Sequence, residues 1–172
     1  HNNLEIEAAK MTGFERGLFY STGYMANIGA VGSLCNRNSV IFSDKLNHAS
    51  LNEAAILSRA KLIRYNHLDL DHLEKLIKGN LTKRKIIVTD GVFSMDGDIA
   101  DIPGLVYLCE KYDATLYVDD AHGYGVLGGS GQGIIEHYED EGLLSNEARK
   151  LIIYMFTLGK SIGVSGAILC AK

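Results

Sequence analysis

A chain of 172 residues is long enough for one domain with a real core. Hydrophobic residues make up 47% and charged residues 22%, an ordinary globular balance, and the formal net charge is −4. With no basic stripe and no apolar run near the ~20 residues of a membrane span, neither nucleic-acid binding nor a transmembrane segment is expected.

Along the chain, β-rich apolar runs alternate with amphipathic stretches. The pattern predicts a helix over 4–11, a short strand over 17–21 and a helix opening at Gly23-Tyr24 and running to 34. A strand at 40–43, a helix at 49–58 and a strand at 61–65 follow. The helix predicted over 70–78 sets Leu70, Leu73, Leu76 and Ile77 on one face. After the charged turn Lys83-Arg84-Lys85, the run 86–89 reads as a strand buried on both faces. Pro103 suits the first turn of a helix reaching 112. Strands at 115–118, 151–156 and 164–170 complete the series, with a glycine-rich irregular stretch at 123–133.

Strands separated by helices imply an α/β fold: three layers, a mainly parallel sheet and helices on both faces. Nothing divides the chain, so residues 1–172 read as one unit. His1 runs straight into a helix and the last strand stops at Lys172 with no helix to close it. The expectation is the middle of a longer polypeptide. Cys35, Cys109 and Cys170 are odd in number, with no CxxC pair. They read as ordinary thiols of a reducing compartment, which points to the cytoplasm and away from disulfides or zinc.

Ligands of such sheets sit at the carboxyl ends of the strands. Asp90, Asp119, Thr157 and Lys160 all fall at or just past such ends. A lysine amine can form a Schiff base with a carbonyl. Asp119, after the buried run Leu116-Tyr117-Val118, could pair with a protonated ring nitrogen, since two unit charges ~4 Å apart at an effective dielectric of ~20 attract by ~4 kcal/mol. An isolated Asp there would read as a cap or loop carboxylate, but His122 and Lys160 close by favour a site. Together these groups point to pyridoxal phosphate, whose protein partners are a lysine and an acidic residue.

Other residues are weaker alone. His122 could donate to the ring's phenolic oxygen, or be a satisfied loop histidine. Asp120 alternates to the other side of its strand and reads as structural. Thr22-Gly23-Tyr24 joins a strand to a helix, where free N–H groups attract phosphate, and Thr157 could bind it too. His48 could stack on a cofactor ring or merely open a helix. Asp90 and Ser94 could meet the ring's hydroxyl side or position substrate. Asp96, Gly97 and Asp98 resemble part of a calcium loop without its closing Glu. His67, His72 and His137 lie on polar segments and receive no role. The GxGxxG string at 123–128 is rejected as a dinucleotide site, because no convincing helix follows it and two aspartates precede it.

These segments together resemble the α-oxoamine synthases, fold-type-I pyridoxal-phosphate enzymes that join an amino acid to an acyl thioester. The agreement runs in order through 1–5, 22–27, 44–50, 89–98, 118–133 and 157–166. Within the family, 90–98, 119–123 and 163–167 most resemble the branch that condenses L-alanine with a pimeloyl thioester, with decarboxylation, in biotin synthesis. The resemblance implies that Lys160 holds the cofactor and later removes the α-proton, while Asp119 pairs with the pyridinium. It puts His122 and Ser94 near the phenolic oxygen, His48 on the ring, and Thr22, Gly23, Tyr24 and Thr157 near the phosphate. It also implies a homodimer and an acyl-CoA or acyl-carrier-protein partner. An N-terminal segment and a small C-terminal domain would lie outside this central part of the large domain, so the segment alone should not turn over. Tyr24 and Met25 depart mildly from the usual pattern. Another α-oxoamine synthase, such as glycine C-acetyltransferase, and a non-catalytic scaffold subunit are the alternative readings.

Overall fold

The structure, a computed structural model, describes residues 2–82 and 84–172. His1, which begins the first matching segment, and Lys83, in the predicted charged turn, lie outside the described residues. In chain order the elements are α1 (Asn2–Met11), β1 (Arg16–Tyr20), α2 (Gly23–Leu34), β2 (Ser39–Asp44), α3 (Ala49–Ser58), β3 (Lys61–Tyr65) and α4 (Leu70–Lys78). Then come β4 (Arg84–Asp90), α5 (Ile102–Tyr112), β5 (Ala114–Asp119), α6 (Ile134–Asp140), a 3-10 turn (Asn146–Leu151), β6 (Ile152–Thr157) and β7 (Ala167–Ala171).

The strands form one seven-stranded sheet in the order β1-β7-β6-β5-β4-β2-β3. Pairing is parallel from β6 through β3, whereas β7 runs antiparallel to both of its neighbours, β1 and β6. The predicted mainly parallel three-layer arrangement is therefore the observed one. The reversed β7 was not foreseen: the chain turns back through 158–166 without a helical crossover.

Side chains of each strand alternate between two cores, as the pleat requires. In β5, Leu116 and Val118 pack among residues from α4, α5 and α6, while Tyr117 packs on the other face among residues from α2 and α3. The predicted stripe of α4 holds: Leu73 and Ile77 are fully buried, and Leu70 and Leu76 pack against the same core. Each such burial is worth ~2 kcal/mol. Helix starts are capped by short acids, Asp69 accepting from His72 N at 2.8 Å and Asp101 from Gly104 N at 3.0 Å, with Pro103 in the first turn. The three cysteines are buried free thiols.

Three expectations at the carboxyl-terminal end need correction. The strand predicted over 164–170 begins only at Ala167, because Gly163 (φ +76°) and Gly166 (φ +133°) bend the chain out of extended geometry. The strand predicted from 151 starts at Ile152, since Leu151 closes a 3-10 turn. A helix, α6, does follow the GxGxxG string, but only after 129–133, so the string does not sit at a strand-to-helix joint. No described helix is long and apolar enough to cross a membrane.

Candidate active site

Parallel pairing sets the carboxyl ends of β4 and β5 side by side, with Asp90 opposite Asp119. On the far side of β5, β6 pairs Met155 with Asp119 and ends at Thr157. The turn that follows carries Lys160, and α2 and α3 both start at this edge of the sheet. Between these ends lies a cleft of about 510 Å³, counted to its open mouth. Every residue predicted for the site lines it except Thr22: Gly23, Tyr24, His48, Asp90, Ser94, Asp119, His122, Thr157 and Lys160. Thr22 lies in an adjoining groove with Gly23, Thr157 and Lys160.

Asp119 is 6% exposed, and both oxygens are held. Ala121 N donates to Oδ1 at 3.0 Å, and Asn27 Nδ2 donates to Oδ2 at 2.8 Å. Burial raises its pKa, opposed by those donors and by the charge of Lys160. Asp90 accepts from His48 N at 3.0 Å through Oδ2, while its buried Oδ1 has no partner among the described residues. Burial, then repulsion from Asp119, pushes Asp90 up to about 8. Two buried carboxyls side by side make this edge short of positive charge.

Lys160 Nζ lies 2.8 Å from His122 Nε2. With the ammonium donating, a neutral His122 keeps its own proton on Nδ1. Burial lowers the pKa of His122, and the charge of Lys160 lowers it further. Burial also lowers Lys160, against the pull of Asp119 and Asp90. Lys160 as a whole is exposed, yet its amine is directed at His122 on the cleft wall.

The start of α2 meets the end of β6 so closely that a Cβ on Gly23 would stand 2.6 Å from Thr157 Cγ2. Only glycine lets the two segments approach this far. Thr22 caps α2, its hydroxyl accepting from Met25 N at 3.1 Å. Thr157 Oγ1 is buried and unpartnered among the described residues. His48 Nδ1 meets Ser50 Oγ at 2.7 Å and accepts from Ser50 N at 3.3 Å, so it caps α3. Tyr24, half exposed, donates its hydroxyl to Glu53. Ser94 sits exposed on the loop after β4.

Asp120 points away from the cleft, as alternation predicts. Its Oδ2 accepts from Tyr154 OH at 2.5 Å and from Ile134 N at 2.8 Å. His72 and His137 are half-buried surface residues, His72 accepting from Asn66 N at 3.0 Å and His137 lying 3.6 Å from Glu141. His67, given no role from the sequence, bridges Asp44 and Asp98. No metal-binding group of His, Cys, Asp and Glu occurs among the described residues.

Sequence reasoning passed over Asn27 and Ser50. Asn27 is 1% exposed, donates to both Asp119 Oδ2 and Ser50 Oγ, each at 2.8 Å, and accepts from Tyr117 OH at 2.8 Å. An uncharged amide buried in the apolar helix α2, one turn after Gly23, was the available signal.

Comparisons place this geometry among known proteins. The family model described as aminotransferase class I and II matches residues 1–172. The chain is 53% identical over 172 residues to 8-amino-7-oxononanoate synthase of Nitrosospira multiformis, covering 100% of this chain and 42% of that protein. It is 49% identical to the same enzyme of Nitrosomonas europaea, covering 100% of this chain and 43% of that protein. The crystal structure of 8-amino-7-oxononanoate synthase from Francisella tularensis superposes with a TM-score of 0.85 at 35% identity, over 99% of this chain and 47% of that one. A structure of SPT with PLP gives a TM-score of 0.87 at 31% identity, over 99% of this chain and 42% of that one. The chain thus spans less than half the length of these relatives.

Proposed function

The chain belongs to the class I and II aminotransferase family, and from that membership we propose that it forms the central part of the cofactor-binding domain of a pyridoxal-phosphate-dependent acyltransferase. The reaction proposed is that of 8-amino-7-oxononanoate synthase: L-alanine condenses with a pimeloyl thioester, carbon dioxide and the free thiol leave, and 8-amino-7-oxononanoate results. The observation that carries this reading is one cleft lined by both an amine, Lys160, and a buried acid, Asp119.

The residues present fit the cofactor. Asp90 Oδ1 and Thr157 Oγ1 are buried polar atoms without partners, a costly arrangement unless something bound satisfies them. The paired carboxyls Asp90 and Asp119 suit a cationic ring, and the start of α2 beside Thr157 suits a phosphate. Bound there, pyridoxal phosphate supplies an aldehyde for an amine and a ring that takes up the electron pair left by a departing proton.

In this proposal Asp119 keeps a proton on the ring nitrogen, and Asn27 and Ala121 hold its carboxylate in place. Lys160 retains the cofactor and then moves the α-proton of alanine. Burial lowers its pKa, which makes an uncharged amine accessible for that transfer. His122 and Ser94 serve the ring hydroxyl, Asp90 the same side, and His48 provides an aromatic wall. Thr22, Gly23, Tyr24 and Thr157 serve the phosphate. A homodimer, a cytoplasmic setting and a CoA or carrier-protein thioester complete the proposal.

Turnover of the full polypeptide tests it. With pyridoxal phosphate, L-alanine and pimeloyl-CoA, the expected result is release of carbon dioxide and CoA in equal amounts. Turnover of glycine with acetyl-CoA, and none with alanine and pimeloyl-CoA, would overturn it in favour of glycine C-acetyltransferase. No turnover and no uptake of the cofactor would favour a scaffold subunit.

A further inference from the structure

We propose that His67, outside the cleft, is a positioning residue whose doubly bonded imidazolium fastens the loop 91–100, and with it Ser94, to the end of the sheet.

Both ring nitrogens face carboxylates: Nδ1 lies 2.9 Å from Asp44 Oδ1 and Nε2 lies 3.1 Å from Asp98 Oδ2. Asp44 is the fixed end of this arrangement. Asp44 is wholly buried, and it already accepts from Leu46 N at 2.8 Å and from Leu68 N at 2.9 Å. Leu68 takes a left-handed φ of +54° to present that N–H, a conformation that side chains other than glycine rarely adopt. A neutral imidazole carries one N–H, so it can donate to only one of two acceptors. The observed pair of contacts is satisfied in full by the protonated ring.

The surroundings agree. The charged groups facing the ring are Asp44 from β2 and Asp98 from the loop, with Asp90 near Asp44. On the approach to His67, Lys45 Nζ bonds Asn66 Oδ1 at 2.6 Å and His72 accepts from Asn66 N at 3.0 Å. Burial pulls the pKa of His67 down, and the two carboxylates outweigh burial and carry it up.

Backbone hydrogen bonds tie the loop together around Asp98. Phe93 N donates to Asp98 O, Gly97 N to Phe93 O and Ala100 N to Gly91 O, each at 2.9 Å. Phe93, 2% exposed, stands edge-on to the His67 ring with centroids 4.5 Å apart. Ser94 follows Phe93 directly and lines the cleft. When the ring loses its proton, one nitrogen presents a lone pair to a carboxylate. Asp98, 44% exposed at its side chain, can turn to water, whereas buried Asp44 cannot, so the loop side lets go.

The inference rests on the proposed function only for what Ser94 serves, so its test reads the loop itself. Hydrogen exchange of 91–100 is followed in the full polypeptide loaded with pyridoxal phosphate from about pH 6 to about pH 9, corrected for intrinsic rates, beside the ring-proton NMR titration of His67. Protection of the loop should fall about tenfold in step with that titration. His67→Gln should exchange fast at every pH, with β5 as protected as in the wild type. A flat wild-type profile, or a wild-type step in His67→Gln, would overturn the proposal. If the variant does not fold, the match between the wild-type step and the His67 titration decides alone. Failure to take up the cofactor would count against the proposed function, and the same exchange run without cofactor would still judge His67.

Discussion

Asp119 and Asp120 are neighbours in the chain and end in regions of opposite character. Asp119 faces an open cleft, where Asn27 and Ala121 hold its carboxylate but leave its face toward Lys160 and Asp90 free for a ligand. Asp120 faces a closed interior, where Tyr154 and the first N–H of α6 occupy its Oδ2 and its Oδ1 has no partner among the described residues. A Cβ on Gly123 would stand 2.2 Å from Asp120 Oδ1, so no ligand can share that space. Burial raises the pKa of both. In the first region that penalty can be relieved by a bound cation. In the second it is a permanent cost of holding the loop and α6 together.

The sharpest way to break the comparison is to neutralise the first acid. Asp119→Asn should cut turnover of the full enzyme by roughly a hundred- to a thousandfold, since ~4 kcal/mol of ion-pair attraction is lost. The unfolding temperature should stay near the wild type, because a buried charge is removed while the amide oxygen of the new side chain can still accept a hydrogen bond from Asn27 or Ala121. A variant that loses fold and activity together would put Asp119 in the same class as Asp120.

The second acid should show itself in stability. Its folded pKa, near 6, lies above the unfolded value, with burial as the main cause. Its contribution is therefore complete below the ordinary aspartate range and is lost as pH rises through about 6. Asp120→Ala should destabilise by ~2–4 kcal/mol at low pH, leaving Ile134 N unpaired and the Tyr154 hydroxyl with Gln132 O alone, and by less at neutral pH. Urea unfolding at the two pH values checks this. The smallest effect is expected at the rim: Tyr24→Phe removes an exposed bond to Glu53 and should change the unfolding free energy by less than ~0.5 kcal/mol.

Much of this contrast was legible in the sequence. Alternation along Leu116-Tyr117-Val118-Asp119-Asp120 sends the two acids to opposite faces, and α3, β3 and α4 have the predicted bounds, α4 with a clean apolar stripe. Strand ends gathered the cleft, since parallel strands finish on one edge. What stayed hidden depended on contacts between distant residues. Asn27 looks like one polar interruption in α2 until β5 brings Asp119 and Tyr117 beside it. His67 lies in a polar stretch, and nothing nearby in the chain reveals that Asp44 and Asp98 close on its ring. The reversal of β7 was masked because an apolar run reads alike in either direction, and α6 because a glycine-rich lead hides a short helix.

The central claim is that Lys160 and Asp119 serve one bound ring. Borohydride reduction of the full polypeptide loaded with pyridoxal phosphate, followed by peptide mass mapping, tests it most directly. The account predicts one pyridoxyl group per chain, on Lys160, with the cofactor's visible absorption altered in Asp119→Asn. A label on another lysine, or an absorption indifferent to Asp119, would contradict it.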